Sequence, residues 1–367
     1  MRRWLIFAIL VSLLTWYATG NAVALSSAKH SVRSSIPIAL PVKQNGPITF
    51  SNIANNLNQV SKIAYESVHR VEQTNKQPSI TLHVYTGPHT KPNVKNVSEA
   101  FAKTMKLWSG FQQPTKYYAV IFNYQDRVWA LNKSKALYFV KQSGGVNGAT
   151  GIKDRIKQCR STRDCASANS GIVGGFGGLG FGQFGMDPSH NFTDAYFVLG
   201  GIEGHEYTHS VQAAQFLNAK RNNQADSDMQ AVTPCWLIEG QANFDGTASQ
   251  ADTFADYMTW RSEMARGWPT SAFTNYSSAS LLHFLLTTKP GKCLPPNPLY
   301  QLGYGIGALM VEALTAIGGS QSTLALLAEM GRGKSFSKAF SSVYGISWSA
   351  AAPILARVAA AEYAATP

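Results

Sequence analysis

The chain has 367 residues, 45% of them hydrophobic and 14% charged, which suits a compact globule with a sizeable core. Its formal net charge is +12, yet the lysines and arginines are dispersed rather than clustered, which argues against nucleic acid as a partner. Such a surplus favours loose association with anionic cell-envelope polymers or acidic substrates and says nothing about fold.

Arg2 and Arg3 precede an apolar stretch from Trp4 to Ala18, and small residues then lead to Ala22-Val23-Ala24, an A-x-A pattern. Residues 1–24 therefore read as a secretory signal peptide. The rival, an uncleaved anchor, is disfavoured because the stretch is shorter than the roughly 20 residues that span a bilayer. Export is expected, with no stable membrane span after cleavage. Loss of this segment removes two arginines and no acid, lowering the charge from +12 to +10. Four cysteines in an exported chain point to two disulfides, and of the three connectivities the preferred one joins Cys159 to Cys165 and Cys235 to Cys293.

Residues 25–47 are rich in Ser, Pro, Lys and Gly without a period and read as a flexible lead-in. From Ile53 to Val71 apolar residues recur at helical spacing, in a helix that either packs on the core or belongs to a removable pro-segment. Strands are predicted at Ile80–Tyr85, Tyr117–Phe122 and, shorter, Val128–Leu131. Between the first two, Val97–Ser109 is a helix capped at Asn96 or Ser98. The run Gly171–Gly185, dense in Gly and Phe, reads as a flexible loop, with a substrate-covering lid as the functional alternative. Ala195–Leu199 is expected to be a last strand. A helix from Ile202 to Asn218 follows, then a polar loop from Lys220 to Gln230 and a helix from Pro234 to Ala248. The remainder is helical in pattern: 253–266, 280–286, 303–317, 322–330, 336–343 and 347–362. Strand, helix and strand before an all-helical half is an α+β arrangement.

Within the helix at 202–218 lies His205-Glu206-Tyr207-Thr208-His209, the H-E-x-x-H pattern of zinc hydrolases. Histidines at i and i+4 project from one helix face roughly 6 Å apart, which suits two imidazoles meeting at one metal ion. Glu206 can reach a water at that metal without ligating it, the position of a general base. For the third ligand Glu239 competes with Asp226, Asp228 and Asp245. A carboxylate within Trp236-Leu237-Ile238-Glu239 is costly to bury without a partner such as zinc, whereas Asp226 and Asp228 lie in a polar, solvated stretch. The expected cofactor is one Zn2+ per chain, held by His205, His209 and Glu239.

The pairing of HEYTH with WLIEGQANF resembles the gluzincin branch of the zincin metallopeptidases. The resemblance covers about residue 78 to the C-terminus, with low specificity outside the two motifs. The 29 residues between His209 and Glu239 exceed the interval of thermolysin-like and leukotriene-hydrolase-like families and come closer to the glycyl aminopeptidase type. The resemblance implies a catalytic domain over 48–367, with a mixed α/β N-terminal lobe (78–200), a mainly helical C-terminal lobe (201–367) and an active-site cleft between them. It also implies that Tyr304, in a Tyr304-x-x-Gly307 helix start leading to Leu314, stabilises an oxyanion; Tyr300 is a weaker substitute. Where many gluzincins carry an acid that orients a histidine ligand, this chain has Asn243, which can accept the imidazole N–H but adds no charge. No G-x-M-E-N-like segment for a free substrate amine is found. The implied activity is secreted, zinc-dependent hydrolysis of peptide or protein substrates. The alternative is a non-catalytic exported zinc-binding or envelope-associated protein that keeps the fold.

Overall fold

The computed structural model describes residues 35–44, 46–137, 153, 155–165, 167–173, 178–187, 194–219, 225–267, 273–291 and 297–366. The segment read as a signal peptide, the first part of the lead-in and Cys293 lie outside them.

One small mixed sheet is joined to a larger set of helices, an α+β architecture. Strands β1 (Thr81–Thr86), β2 (Lys116–Asn123), β3 (Ser167–Val173) and β4 (Leu179–Met186) stand in the order β1-β2-β4-β3. The first two and β4 run parallel, with Thr81 opposite Lys116 and Lys116 opposite Leu179, while β3 closes one edge antiparallel to β4. Parallel neighbours need a crossover, and helix α2 (Val97–Leu107) supplies it between β1 and β2, its Asn96 cap accepting from the Glu99 amide. The near-continuous apolar run of β2 follows from burial on both faces. Tyr117, Ala119 and Ile121 enter the main core, whereas Val120 and Phe122 join a smaller cluster with Ala130, Phe181, Cys159 and Cys165. The last two form the expected disulfide. Cys235 is disulfide-bonded as well, and its expected partner Cys293 is outside the described residues.

Four expectations are corrected. Val128–Leu131 belongs to helix α3 (Arg127–Ala136), in which Ala130 and Ser134, four apart, are the buried residues while Val128 is exposed. The stretch 195–199 is one helical turn, α4 (Ala195–Val198), closed by the Phe197 and Val198 amides on Asp194 O, so it adds nothing to the sheet. The Gly/Phe run is mostly sheet: its two ends lie in β3 and β4, and residues 174–177 are outside the described set. Its glycines make room for an aromatic ring, since a Cβ at Gly180 would lie 2.5 Å from Tyr117 Cδ2 and one at Gly182 2.3 Å from Tyr117 Oη. Finally, the end of the lead-in is tied down. Val42 N donates to Val343 O at 2.7 Å, Gln44 Nε2 to Tyr344 O at 2.8 Å, and Ile48 and Phe50 are in the core.

Helix α1 (Leu57–Thr74) buries Val60, Ala64 and Val68, and packs against the helical half, so it is part of the core. That half comprises α5 (Gly201–Ala214), α6 (Ala225–Val232), α7 (Cys235–Ala248), α8 (Phe254–Gly267), α9 (Ser278–Thr287), a π-helical turn at Gly303–Gly307 running into α10 (Ala308–Gly318), then α11 (Gln321–Gly331), α12 (Phe336–Tyr344) and α13 (Trp348–Ala365). Serines 277, 335 and 347 cap α9, α12 and α13 by accepting the amide three residues on. The polar stretch 220–230 turns helical at Ala225, where Asp228 is buried. Every residue of α7 is buried, which makes it the central helix of the half. Among the described residues no single helix is long and apolar enough to cross a membrane.

Candidate metal centre

Helices α5 and α7 cross at unusually short range. A Cβ on Gly204 would lie 2.3 Å from Gly246 O, and one on Gly240 2.3 Å from Gly307 C, so three backbone segments touch where any larger side chain would part them. The crossing decides what the helices can present to one another. On α5, Tyr207 turns to the sheet side, its ring against Phe101 and Tyr117 and its hydroxyl donating to Gln113 Oε1 at 2.8 Å. Thr208 accepts from Trp108 Nε1 at 3.3 Å. His205 and His209 are thereby left facing α7, and Glu239 faces back.

The three side chains converge. His205 Nε2 and His209 Nε2 are 3.0 Å apart, and Glu239 Oε2 lies 3.6 Å from the first and 3.4 Å from the second. Which ring nitrogen carries hydrogen follows from the neighbours. Asn243 Nδ2 donates to Tyr304 O at 3.0 Å, so its Oδ1 accepts from His205 Nδ1 at 2.7 Å. Gln212 Nε2 donates to Ile238 O and Gln241 Oε1, both at 2.9 Å, so its Oε1 accepts from His209 Nδ1 at 2.9 Å. With both Nδ1 atoms protonated, both Nε2 atoms carry lone pairs. With both rings neutral, these two atoms and Glu239 Oε2 meet as three acceptors, and Glu239 Oε2 is a buried atom without a hydrogen-bond partner. Three acceptors gathered in this way are relieved by positive charge, either a proton on His209 or a metal ion.

The electrostatics agree. Burial, then the neighbouring His209, presses His205 down to about 3. Burial also works against charge on His209, but the carboxylates of Glu239 and Glu206 outweigh it and lift that imidazole to about 9. Glu239 is held below its usual range, burial being overcome by His209 and His205 and by Tyr300. A proton on His209 is thus the minimum positive charge the cluster demands. The donor set fits a metal ion: one nitrogen from each histidine and one carboxylate oxygen lie within 4.8 Å of one another.

The remaining candidates are placed as follows. Glu206 is buried beside the triad, its Oε2 has no partner, and burial, partly offset by His209, raises its carboxyl to about 7. Its backbone carbonyl accepts from Ser170 Oγ of β3 at 2.5 Å, so the edge strand lies along the motif. Tyr300 donates to Glu239 Oε1 at 2.5 Å, and Tyr304 donates to Tyr300 Oη at 2.8 Å. The tyrosine read as the weaker substitute is therefore the one on the carboxylate, and Tyr304 stands one step further out. The rival acids are elsewhere. Asp226 Oδ2 accepts from the Ile172 amide at 3.1 Å, and Asp228 is 1% exposed, so neither is the solvated loop acid expected. Asp245, fully buried, has its pKa raised well above normal by burial, and neither of its carboxylate oxygens has a hydrogen-bond partner.

Two participants were not foreseen: Gln212, one turn beyond His209, and Tyr196, whose ring meets His205 edge-on at 6.3 Å. The first was legible in principle as an amide three residues after a histidine on a helix; nothing local marks the second. At the triad His205 is 5% and Glu239 2% exposed while the His209 side chain is 16% exposed, and a separate cavity of about 550 Å³ lies beside Pro234, Leu286, Phe336 and Trp348.

No protein-family model, curated protein or solved structure matches the chain.

Proposed function

We propose that the protein is an exported, zinc-dependent peptidase with a zincin-like fold and that His205, His209 and Glu239 hold the metal. The observation that carries this reading is the convergence of two imidazole Nε2 atoms and one carboxylate oxygen, with Glu206 beside them and outside the ligand set. Two imidazoles and a carboxylate with an open fourth position are the donor set of catalytic zinc. Zinc bound there would polarise a peptide carbonyl and lower the pKa of water to about 7.

The protein's own groups then divide the work. Glu206, its carboxyl lifted to about 7 by burial, can take a proton from the attacking water and return it to the leaving amine near neutral pH. Asn243 and Gln212 fix the tautomer and ring angle of the two histidines. Tyr300 occupies one oxygen of Glu239 and so directs the other at the histidines. The Cys159–Cys165 disulfide supports an oxidising, extracellular location, and the charge of +10 left after signal removal supports loose contact with anionic envelope polymers.

One observation favours a second reading, a non-catalytic zinc-binding protein: two of the three members of the triad, His205 and Glu239, are buried. Against it stands Glu206, a buried carboxylate oxygen without a partner that a purely structural metal site has no use for. The deciding experiment is elemental analysis of the mature chain together with hydrolysis of a mixed peptide library, with and without chelator. The peptidase reading expects one zinc per chain and chelator-sensitive cleavage, lowered about 10²–10⁴-fold in Glu206→Gln with zinc retained. Tightly held zinc with no cleavage by the wild type would support the second reading.

A further inference from the structure

The hydroxyl protons around the triad can be followed one by one. Tyr300 gives its proton to Glu239, and Tyr304 gives its own to Tyr300. Both rings are buried, at 4% and 5% exposure, and the Tyr304 carbonyl is held by Asn243. These two phenols thus form a chain that ends on the metal-ligating carboxylate. Neither proton is available to anything arriving from outside unless that chain is broken.

Tyr196 differs on each count. It is only partly buried, and among the described residues it makes no hydrogen bond. Its ring is fixed on several sides. It stacks on Trp260 at 6.0 Å and 20°, meets His205 edge-on at 6.3 Å and 85°, and lies so close to the start of α5 that a Cβ on Gly201 would be 2.7 Å from its Cδ2. The left-handed Gly200 turns the chain between α4 and α5 and brings this ring back over the first turn of the H-E-x-x-H helix. Tyr304 stacks on His205 at 6.0 Å and 10°, so the two tyrosines approach that ligand in different orientations, one parallel to its ring and one perpendicular.

Resting on the peptidase reading, we propose that Tyr196, rather than Tyr304, is the phenol that hydrogen-bonds the oxyanion developing on a carbonyl bound at His205, His209 and Glu239. A rigid ring with an uncommitted hydroxyl meets the requirement for a donor preorganised toward charge that appears only in the transition state. Tyr304 then serves to position Glu239 through Tyr300.

The test compares Tyr196→Phe and Tyr304→Phe with wild type, all as the full mature chain loaded with zinc. Each is assayed for zinc content, for kcat and KM on a cleaved peptide, and for affinity toward a dipeptide phosphonate, whose tetrahedral anion mimics the oxyanion. Phenylalanine keeps the ring contacts with Trp260 and His205, and near-UV circular dichroism checks that it does. Tyr196→Phe is expected to keep one zinc and a KM within about threefold, while kcat and phosphonate affinity each fall about 10²–10³-fold. Loaded with zinc, Tyr304→Phe should lose about tenfold less phosphonate affinity than Tyr196→Phe. Unchanged phosphonate affinity in Tyr196→Phe, a loss in Tyr304→Phe as large as in Tyr196→Phe, or no phosphonate binding by wild type overturns the assignment. Absence of peptide cleavage by wild type would refute the peptidase reading, and the phosphonate comparison would still decide the role of Tyr196.

Discussion

Two buried clusters of charge lie in the helical half, and they are built on opposite plans. At the triad, acceptors face acceptors. Between α8, α10 and α13, Arg261 Nε donates to Glu312 Oε2 at 2.7 Å, while its Nη2 donates to Glu312 Oε1 at 2.8 Å and to Glu362 Oε2 at 2.6 Å; Tyr257 adds a hydrogen bond to Glu312. There the guanidinium supplies the cation from within and ties the last helix to the core, leaving Glu362 Oε1 as the one carboxylate oxygen of the cluster without a partner. The triad could take its cation from outside, as a metal ion. Burial and ionisable residues are common to both, so neither property marks function by itself; what does is whether the donors and acceptors answer one another.

The largest expected effect comes from opening the arginine cluster. Arg261→Met should destabilise the fold by about 3–5 kcal/mol, because two carboxylates are left buried without their partner. Converting Glu312 and Glu362 to Gln in the same chain should restore most of that loss. Chemical denaturation measures both. If the single variant unfolded like wild type, the cluster would not be a structural clasp and the contrast with the triad would collapse.

Next is the triad itself, which ought to gain stability from outside. Zinc at about a thousand times its dissociation constant should stabilise the native state by about 4 kcal/mol, since binding only the folded form shifts unfolding by mass action. Thermal melts with and without chelator read this directly. A melting point indifferent to chelator would mean that the proton on His209 suffices.

Much of this was legible in the sequence. The histidine pair followed from the i, i+4 spacing, and Glu239 from its apolar setting, because both arguments depend on local chemistry alone. Tyr196 and the order of Tyr300 and Tyr304 were not, since they depend on how a glycine turn and a π-helical turn aim rings across space. The Gly/Phe run misled for a related reason: glycine usually weakens order, and only the presence of Tyr117 on the adjacent strand shows that here it makes room. The strand predicted at 128–131 was a matter of period, four residues being too few to separate alternation from a helix face.

A third way of burying a carboxylate lies on α1 and sharpens the comparison further. Glu72 Oε2 is 3.4 Å from His69 Nδ1, but burial lowers the histidine, and Glu72 itself is pushed up to about 8 by burial, with Lys103 and Lys106 only partly offsetting it. Here the cation is a proton. Because the folded value lies above the ordinary 4.5, the protonated carboxyl contributes stability that is fully present below pH 4.5 and is lost as pH rises through about 8. The loss across that window should be up to about 5 kcal/mol. Glu72→Gln should flatten this part of the stability curve and be the more stable protein at pH 9. A wild-type curve rising with pH over the same range, or one unchanged by the substitution, would show that Glu72 stays ionised.

The smallest effect concerns how the triad is aimed. Tyr300→Phe removes the donor to Glu239 Oε1 and leaves the Tyr304 hydroxyl without its acceptor, while the three ligating atoms remain on unchanged helices. Without that hydrogen bond the carboxylate can rotate and divide its time between its two oxygens. Zinc affinity should then fall about 10–100-fold, the usual cost of losing a group that orients a ligand. Competition against a chromogenic chelator measures it. Gln212→Leu makes the matching test on His209, where the amide alone fixes the tautomer, and a loss of similar size is expected. If both variants held zinc as tightly as wild type, the close crossing of α5 and α7 would be enough to aim the ligands by backbone alone, and the surrounding hydrogen bonds would be dispensable for metal binding.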